Sequence, residues 1–172
     1  MDFNRRRTFL NQKPKNSFTK EQAFQKAKHY CAYQERSHFE AREKLYSLGL
    51  WKKDVEELLS RLIEEDYLNE ERFAKQFAGG KFRMKQWGRV KIQYELKQKQ
   101  VSAYCIKKEM QEIGEDDYDK TIRKLAAKKI ATLKSEKNIF TRKKKLQDYL
   151  LQKGYEWELV NEMLKSLDRS AE

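Results

Sequence analysis

The chain has 172 residues, of which 39 are Lys or Arg and 27 are Asp or Glu, so its formal net charge is +12. One proline and six glycines are too few for the many turns of a β-sandwich or β-barrel, and the composition therefore favours an all-α protein. The positive charge favours contact with DNA, RNA, an acidic protein surface or an anionic membrane. Because the sequence has neither a membrane-spanning apolar run nor the apolar segment of a secretory signal, we expect a cytoplasmic protein.

The first elements in chain order are a basic arm and three helices. Residues 1–18 carry five basic side chains, the sole proline and little periodicity, which predicts a disordered arm. Thr19 and Ser37 each begin a sequence with capping-box spacing, and each therefore predicts a helix start. The second helix is expected to end at Gly49, in a left-handed C-cap, and a third helix follows it.

The same arrangement recurs along the rest of the chain. Gly49, Gln100 and Gly154 lie 51 and 54 residues apart and have apolar residues at matching offsets. Four residues before them stand Leu45, Leu96 and Leu150, and eight residues before them stand Ala41, Ile92 and Leu146. Six residues after them stand Val55, Ile106 and Val160. These offsets predict three antiparallel helical hairpins. Chance recurrence in an amphipathic helical protein is the alternative.

A preceding helix is expected to complete each hairpin, at residues 19–35, 70–82 and 119–133. We therefore predict an all-α fold of nine helices in three tandem three-helix repeats. The predicted repeats are 19–68, 69–115 and 116–168, followed by a tail at 169–172. Because such small repeats must share interfaces to bury a core, an elongated molecule is expected.

The cysteines, histidines and glycines give no indication of catalysis. Cys31 and Cys105 stand among apolar and aromatic neighbours, which favours buried free thiols. Together with the two histidines they lack metal-ligand spacing, so no metal and no cofactor are expected. The glycine pair at 79–80 precedes Lys-Phe rather than the Lys-Ser/Thr of a phosphate loop. We therefore predict that the protein is not an enzyme.

Three blocks of sequence resemble the RecX family, in the order and spacing of that family, over residues 24–167. The block similar to the family's central region comprises Glu71-Arg72-Phe73-Ala74, Phe77, Trp87-Gly88-Arg89 and Ile92-Gln93-Tyr94-Glu95-Leu96-Lys97-Gln98-Lys99. The N-terminal block comprises Ser37, Glu40, Arg42, Lys44-Leu45 and Gly49. The C-terminal block comprises Ile139-Phe140, Lys145 and Tyr149-Leu150-Leu151-Gln152-Lys153-Gly154-Tyr155.

The resemblance implies three three-helix repeats in a curved rod that modulates the RecA recombinase. Such proteins usually inhibit the recombinase and coprotease activities of RecA, and lie in the groove of its nucleoprotein filament. The expected partners are therefore the RecA filament and the single- or double-stranded DNA within it, bound by a monomer in recombination, repair and the SOS response. One departure is Gln100, which stands where the second repeat usually has glycine, and it leaves the geometry of that turn open.

Basic residues of the second and third repeats are the candidates for contact with RecA or DNA. They are Lys81, Arg83, Lys85, Trp87, Arg89, Lys91, Arg142, Lys143, Lys144 and Lys145. Lys145 and Lys143 share repeat offsets with Lys91 and Arg89, so positive charge recurs in register. Helical geometry places Lys144 and Lys145 away from the buried stripe, free for solvent or a ligand.

Each candidate also has a purely structural interpretation. Trp87 can pack between repeats, and a run of charges is commonly a solvated helix face. Four tyrosines among the lysines are expected at the seams between helices: Tyr94, Tyr104, Tyr118 and Tyr149. Three functions remain open at this point: a regulator of RecA on DNA, a general nucleic-acid-binding helical module, and a helical scaffold whose charge maintains solubility.

Overall fold

Nine α-helices and no strands make up the described part of the protein, for which a computed structural model describes residues 18–169 and the side chains of 18–165. The prediction of an all-α fold with nine helices is confirmed in that range. The helices are α1 (Lys20–Tyr33), α2 (His38–Ser47), α3 (Lys52–Glu64), α4 (Glu70–Lys85), α5 (Arg89–Gln98), α6 (Ala103–Glu112), α7 (Glu115–Thr132), α8 (Ile139–Lys153) and α9 (Trp157–Arg169). The predicted basic arm lies outside the described residues, except for Phe18.

The chain divides after Asn69 into two units. Helices α1, α2 and α3 form the first unit and pack against one another around a core of their own. Both predicted capping boxes are present there. The Thr19 hydroxyl accepts the backbone N–H of Gln22, and the buried Ser37 hydroxyl accepts that of Glu40, so these side chains satisfy N–H groups that the first helical turn leaves unbonded.

The second unit contains α4 to α9, which share one hydrophobic core. Within it, α4, α5 and α6 pack together, as do α7 with α8 and α8 with α9. Three aromatic rings link α4, α7 and the connection between α8 and α9 in this core: the centroid of Tyr118 lies 5.8 Å from that of Phe82 and 5.1 Å from that of Tyr155. Such tilted ring pairs contribute packing energy beyond the area that they bury.

The repeated leucines are buried as predicted, because Leu45, Leu96 and Leu150 are each 0% exposed. The turns that follow them are alike too. Gly49, Gln100 and Gly154 all have left-handed backbone, with φ of 83°, 57° and 88°. Each donates its N–H over 2.9 Å to the carbonyl three residues earlier. Gln100 therefore keeps the turn at a conformational cost of about 1 kcal/mol.

Helix α7 begins at Glu115, four residues before the start that its apolar pattern predicts. Its first turn holds Glu115, Asp116 and Asp117, and negative side chains there stabilise the positive end of a helix. An apolar stripe reports only the buried part of a helix, so it misses a polar first turn. Helix α4 extends to Lys85, three residues beyond the predicted end, because its last turn is also exposed and lies outside the apolar stripe.

Candidate interface on the second unit

The start of α5 meets the end of α8. The backbone N–H of Gly88 donates to the carbonyl of Lys153 over 2.9 Å, and that of Val90 donates to the carbonyl of Gly154 over 3.1 Å. These N–H groups at a helix start and carbonyls at a helix end have no partners within their own helices. The junction satisfies both sets, and brings the positive end of one helix dipole to the negative end of the other.

Glycine is required at position 88 by this junction. A Cβ atom built on Gly88 would collide with the carbonyl of Gly154, and a Cβ on Gly154 would collide with Lys91. The two backbones therefore approach more closely than any side chain allows. Trp87-Gly88-Arg89 thus has a structural role at the contact between α5 and α8.

Trp87 is half-buried and packs against the core of the second unit. The Nζ atoms of Lys81 and Lys91 lie 5.0 and 4.7 Å from the centroid of its ring, in cation–π contact. Lys91 also donates to the backbone carbonyl of Gln152 over 3.3 Å. Both lysines are half-buried and already engaged within the unit.

Arg89 is the candidate most fully engaged in internal contacts, with a side chain only 15% exposed. Its guanidinium donates over 2.8 Å to both the Glu115 carboxylate and the Ile113 carbonyl, and lies 4.2 Å from the Tyr118 ring centroid. The Tyr118 hydroxyl accepts the Arg89 backbone N–H and donates to Glu156. Burial raises the pKa of Tyr118 above its usual value, so the hydroxyl remains a donor.

Lys144 and Lys145 are exposed, as predicted, but each has an acidic neighbour. Lys144 pairs with Asp148 one turn along α8, and Lys145 pairs with Glu136, both over 2.8 Å. The Lys145 hydrogen bond lowers the pKa of the Glu136 carboxyl. Any ligand of these two lysines must therefore compete with carboxylates on the same unit.

The other candidates differ in their exposure. Arg142 and Lys143 are half-buried on α8, whereas Arg83 and Lys85 are exposed in the last turn of α4. The prediction for the four tyrosines is half right. Tyr118 and Tyr149 pack in or against the core, but Tyr94 and Tyr104 are 59% and 67% exposed.

Arg83 lines a groove of about 340 Å³ between α4 and α7, called here the α4–α7 groove. Its lining residues are Phe82, Arg83, Gln86, Asp117, Lys120, Thr121 and Lys124. Lys120 and Lys124 are not among the candidates predicted from sequence. Their spacing of four residues, continued by Lys128, was the available indication, since such residues share one helix face.

Both cysteines are free and buried, as predicted. Burial raises the pKa of the Cys31 thiol to about 11, and also raises that of Cys105, whose Sγ lies 3.3 Å from a Glu70 carboxylate oxygen. Within residues 18–165, no group of three or more His, Cys, Asp or Glu side chains is placed to hold a metal ion. None of the described helices combines the length and apolar character that crossing a bilayer requires.

The described fold and its basic second unit define a helical repeat protein with a candidate surface for a polyanionic partner. Residues 69–110 match the RecX family's second three-helix domain, and residues 115–164 match its third. The regulatory protein RecX of Chlorobium limicola is 30% identical over 76% of this chain and 80% of its own length. The corresponding protein of Prosthecochloris aestuarii is 31% identical over 84% and 93%. The chain belongs to the RecX family.

The regulatory protein RecX of Clostridium perfringens is 33% identical over 74% of this chain, which spans 60% of that relative's length. Two solved structures have the same fold. The crystal structure of RecX from Lactobacillus salivarius has a TM-score of 0.75 at 21% identity, covering 87% of this chain and 96% of its own. A second crystal structure, of a regulatory protein RecX, has a TM-score of 0.76 at 22% identity, covering 86% and 71%.

Proposed function

We propose that the protein regulates the RecA recombinase by binding the RecA filament on DNA, and that it acts as an inhibitor in recombination, repair and the SOS response. Membership of the RecX family carries this proposal, because relatives with 30–33% identity bear the name regulatory protein RecX. The proposal includes a non-catalytic, cytoplasmic monomer whose repeats span residues 19–68, 69–115 and 116–168.

The proposed contact surface lies on the second unit. Residues 70–169, the described part of this unit, contain 25 basic and 15 acidic side chains and so carry a net charge of +10. Both DNA phosphates and an acidic protein surface are attracted to such a field. The ten candidate residues named from the sequence, Lys81 to Lys91 and Arg142 to Lys145, all belong to this unit.

The ATPase activity of RecA on single-stranded DNA tests the proposed function. We expect the full-length protein to lower the steady-state ATPase rate of preformed filaments at a fixed salt concentration. Addition of excess bare single-stranded DNA is the control, because inhibition through the filament persists while inhibition by sequestering DNA is relieved. An ATPase rate that does not change with a saturating amount of protein would contradict the proposal.

A charge-reversal pair tests whether the placement of positive charge matters. Lys91→Glu with Lys145→Glu alters the repeat-registered positions, whereas Lys52→Glu with Lys53→Glu makes the same net change at exposed positions of the first unit. We expect only the first pair to weaken inhibition of RecA strongly. Circular dichroism must show intact helix content, since Lys91 also contacts Trp87. Equal inhibition of RecA by both folded variants would show that Lys91 and Lys145 are not part of the contact surface.

A general nucleic-acid-binding module is the second candidate function, favoured by the excess of positive charge on the second unit. It predicts equal affinity for bare and RecA-coated strands. A regulator of RecA predicts tighter binding to the coated strand at the same salt concentration. Fluorescence anisotropy of one labelled strand, with and without RecA, measures both affinities.

A further inference from the structure

The α4–α7 groove holds three cations, Arg83, Lys120 and Lys124, whose surroundings differ from those of Arg89, Lys144 and Lys145. Arg83, Lys120 and Lys124 have no carboxylate oxygen within ion-pairing distance in the part of the chain that the structure describes, although Asp117 lines the same groove. Arg89, by contrast, is paired with Glu115. A ligand can therefore approach the groove cations without displacing an acidic partner.

The guanidinium of Arg83 lies beside α4 next to Gly79, where residue 79 has no side chain. Its Nη1 atom lies 2.7 Å from the position that a Cβ on Gly79 would take, so the guanidinium occupies the space beside the helix backbone. A guanidinium presents its donors as a planar fork, which matches the geometry of a phosphate.

Helix α7 extends this charge in a line. Lys120, Lys124 and Lys128 are exposed at intervals of four residues, which is about 6 Å along the helix axis per interval. This spacing is comparable with that between successive phosphates of an extended single strand. Such a row suits a polymeric ligand that carries one negative charge on each repeating unit.

The remaining lining of the groove favours nucleic acid over an acidic peptide. Phe82 provides an aromatic wall, Gln86 an amide and Thr121 a hydroxyl. Aromatic rings beside cations are the usual combination for binding single strands, in which bases stack while phosphates pair with Lys and Arg. Peptide segments commonly dock by inserting apolar anchors into pockets, and Phe82 is the one apolar residue that lines this groove.

We propose that the α4–α7 groove binds consecutive phosphates of a single nucleic-acid strand. Arg83 makes a forked contact with one phosphate, while Lys120 and Lys124 pair with its neighbours. The setting of this site on filament DNA rests on the proposed function, whereas phosphate binding itself does not depend on it.

The test measures binding of the full chain to a fluorescently labelled oligodeoxythymidine over a range of salt concentrations. The groove variant is Arg83→Gln, Lys120→Gln and Lys124→Gln. Loss of three phosphate contacts is expected to weaken affinity about tenfold or more at low salt, and to flatten the log–log salt dependence by about 2, given roughly 0.7 per contact on a single strand. An abasic strand of the same length should show the same flattening if phosphates are the ligand.

The matched control is Lys97→Gln, Lys107→Gln and Lys165→Gln, which removes the same charge from exposed positions on α5, α6 and α9. If this control loses as much affinity and slope as the groove variant, the placement proposal is wrong. Poly-glutamate is the competing ligand. If the groove variant loses affinity for poly-glutamate but keeps it for the oligonucleotide, the groove binds an acidic protein instead. Should the triple variant fold poorly, Lys124→Gln alone is expected to flatten the slope by about 0.7, and an unchanged slope would contradict the proposal.

The two proposals fail in different ways. If the wild-type protein inhibits RecA ATPase but the groove variant binds oligonucleotide normally, the groove proposal is wrong and the proposed function stands. If the groove variant loses oligonucleotide binding but the wild-type protein leaves RecA ATPase unchanged, the groove is a phosphate site and the proposed function is wrong.

Discussion

The two units of this protein use charge in different ways. In the described part of the first unit, residues 18–69 carry nine basic and ten acidic side chains, a net charge of −1, whereas residues 70–169 of the second unit carry a net charge of +10. Ion pairs within the first unit join Lys20 to Asp54 and Glu57, Lys28 to Glu65, Arg42 to Glu56, and Arg61 to Glu21 and Glu65. Such exposed pairs contribute little stability, so their main effect is to leave that surface without excess charge.

This difference separates charge that serves the fold from charge that is open to a partner. The second unit also has internal pairs, such as Arg89 with Glu115, yet its residues 70–169 keep an excess of ten positive charges. The total of +12 for the whole chain, which also includes +4 from residues 1–17 and −1 from residues 170–172, conceals this division. The charge of each unit, rather than the total, therefore determines which surface attracts a polyanion, because an electrostatic field depends on where the charges lie.

The units also begin equivalent helices differently. Ser37 and Gly88 both lie twelve residues before the left-handed turn residue of their repeats, and both are N-cap residues. Ser37 caps its helix with a hydroxyl. Gly88 makes no side-chain bond and instead allows α8 to approach α5. Substitutions at these caps and turns, and at a buried carboxyl of the second unit, test this contrast.

Gly88→Ser places the residue of the first unit at the equivalent position of the second. Serine is the better N-cap, yet its Cβ would collide with the Gly154 carbonyl, and we expect a loss of about 3 kcal/mol in the free energy of unfolding. Urea unfolding followed by circular dichroism measures this loss. Gly114→Ser is the matched control, because Gly114 is also an N-cap but has open space around its Cβ position. Equal free energies of unfolding for the two variants would contradict the close approach of Gly88 to the Gly154 carbonyl.

Ser37→Ala removes the cap of the first unit. The Ser37 hydroxyl is buried and bonded to the Glu40 N–H, so we expect a loss of about 1.5 kcal/mol. The exposed capping box at Thr19 provides the comparison, and Thr19→Ala should cost about 0.5 kcal/mol because water can replace its hydroxyl. A larger cost at Thr19 than at Ser37, in the same urea titration, would reverse the expected order.

Gln100→Gly restores the residue that both neighbouring repeats have at this turn. Since φ of Gln100 is 57°, glycine should raise the free energy of unfolding by about 1 kcal/mol. Gln98→Gly, two residues earlier in the right-handed last turn of α5, should instead lower it by about 1 kcal/mol. Thermal unfolding of both variants checks the opposite signs.

Glu109→Gln tests a buried polar side chain of the second unit. Burial raises the pKa of the Glu109 carboxyl above its ordinary value of 4.5, so the folded state binds its proton more tightly than the unfolded state does. Ionisation therefore costs stability as pH rises through the folded pKa. We expect Glu109→Gln to stabilise the protein at neutral pH, with a gain that disappears below about pH 4. A pH-independent difference in urea midpoint would contradict this cause.

The parts of the structure predicted correctly from sequence depend on neighbouring residues. Leu45, Leu96 and Leu150 could be placed in the core because an apolar stripe follows helical periodicity. Thr19 and Ser37 could be identified as caps because the capping box spans four residues. In the same way, Gln100 could be matched to two glycines by its offset alone.

Contacts between distant residues could not be predicted in this way. Arg89 appears in the sequence as a free cation of a basic segment, but its carboxylate partner lies 26 residues away, at the start of α7. Gly88 has no local pattern that reveals its approach to Gly154. The sequence does not identify Lys120 and Lys124 as groove residues, because the groove exists only where α4 lies beside α7 and helix spacing alone does not establish that contact.

The two cysteines give each unit its own internal reporter. Cys31 lies in the core of the first unit and Cys105 in that of the second, and both are free thiols. Only the thiolate reacts readily with an alkylating reagent, and burial suppresses both access and ionisation. Labelling under native conditions therefore proceeds through transient opening, and mass spectrometry of two peptides yields two opening free energies from one sample. The labelling rates of the two native thiols therefore report the local opening of each unit, without an engineered probe.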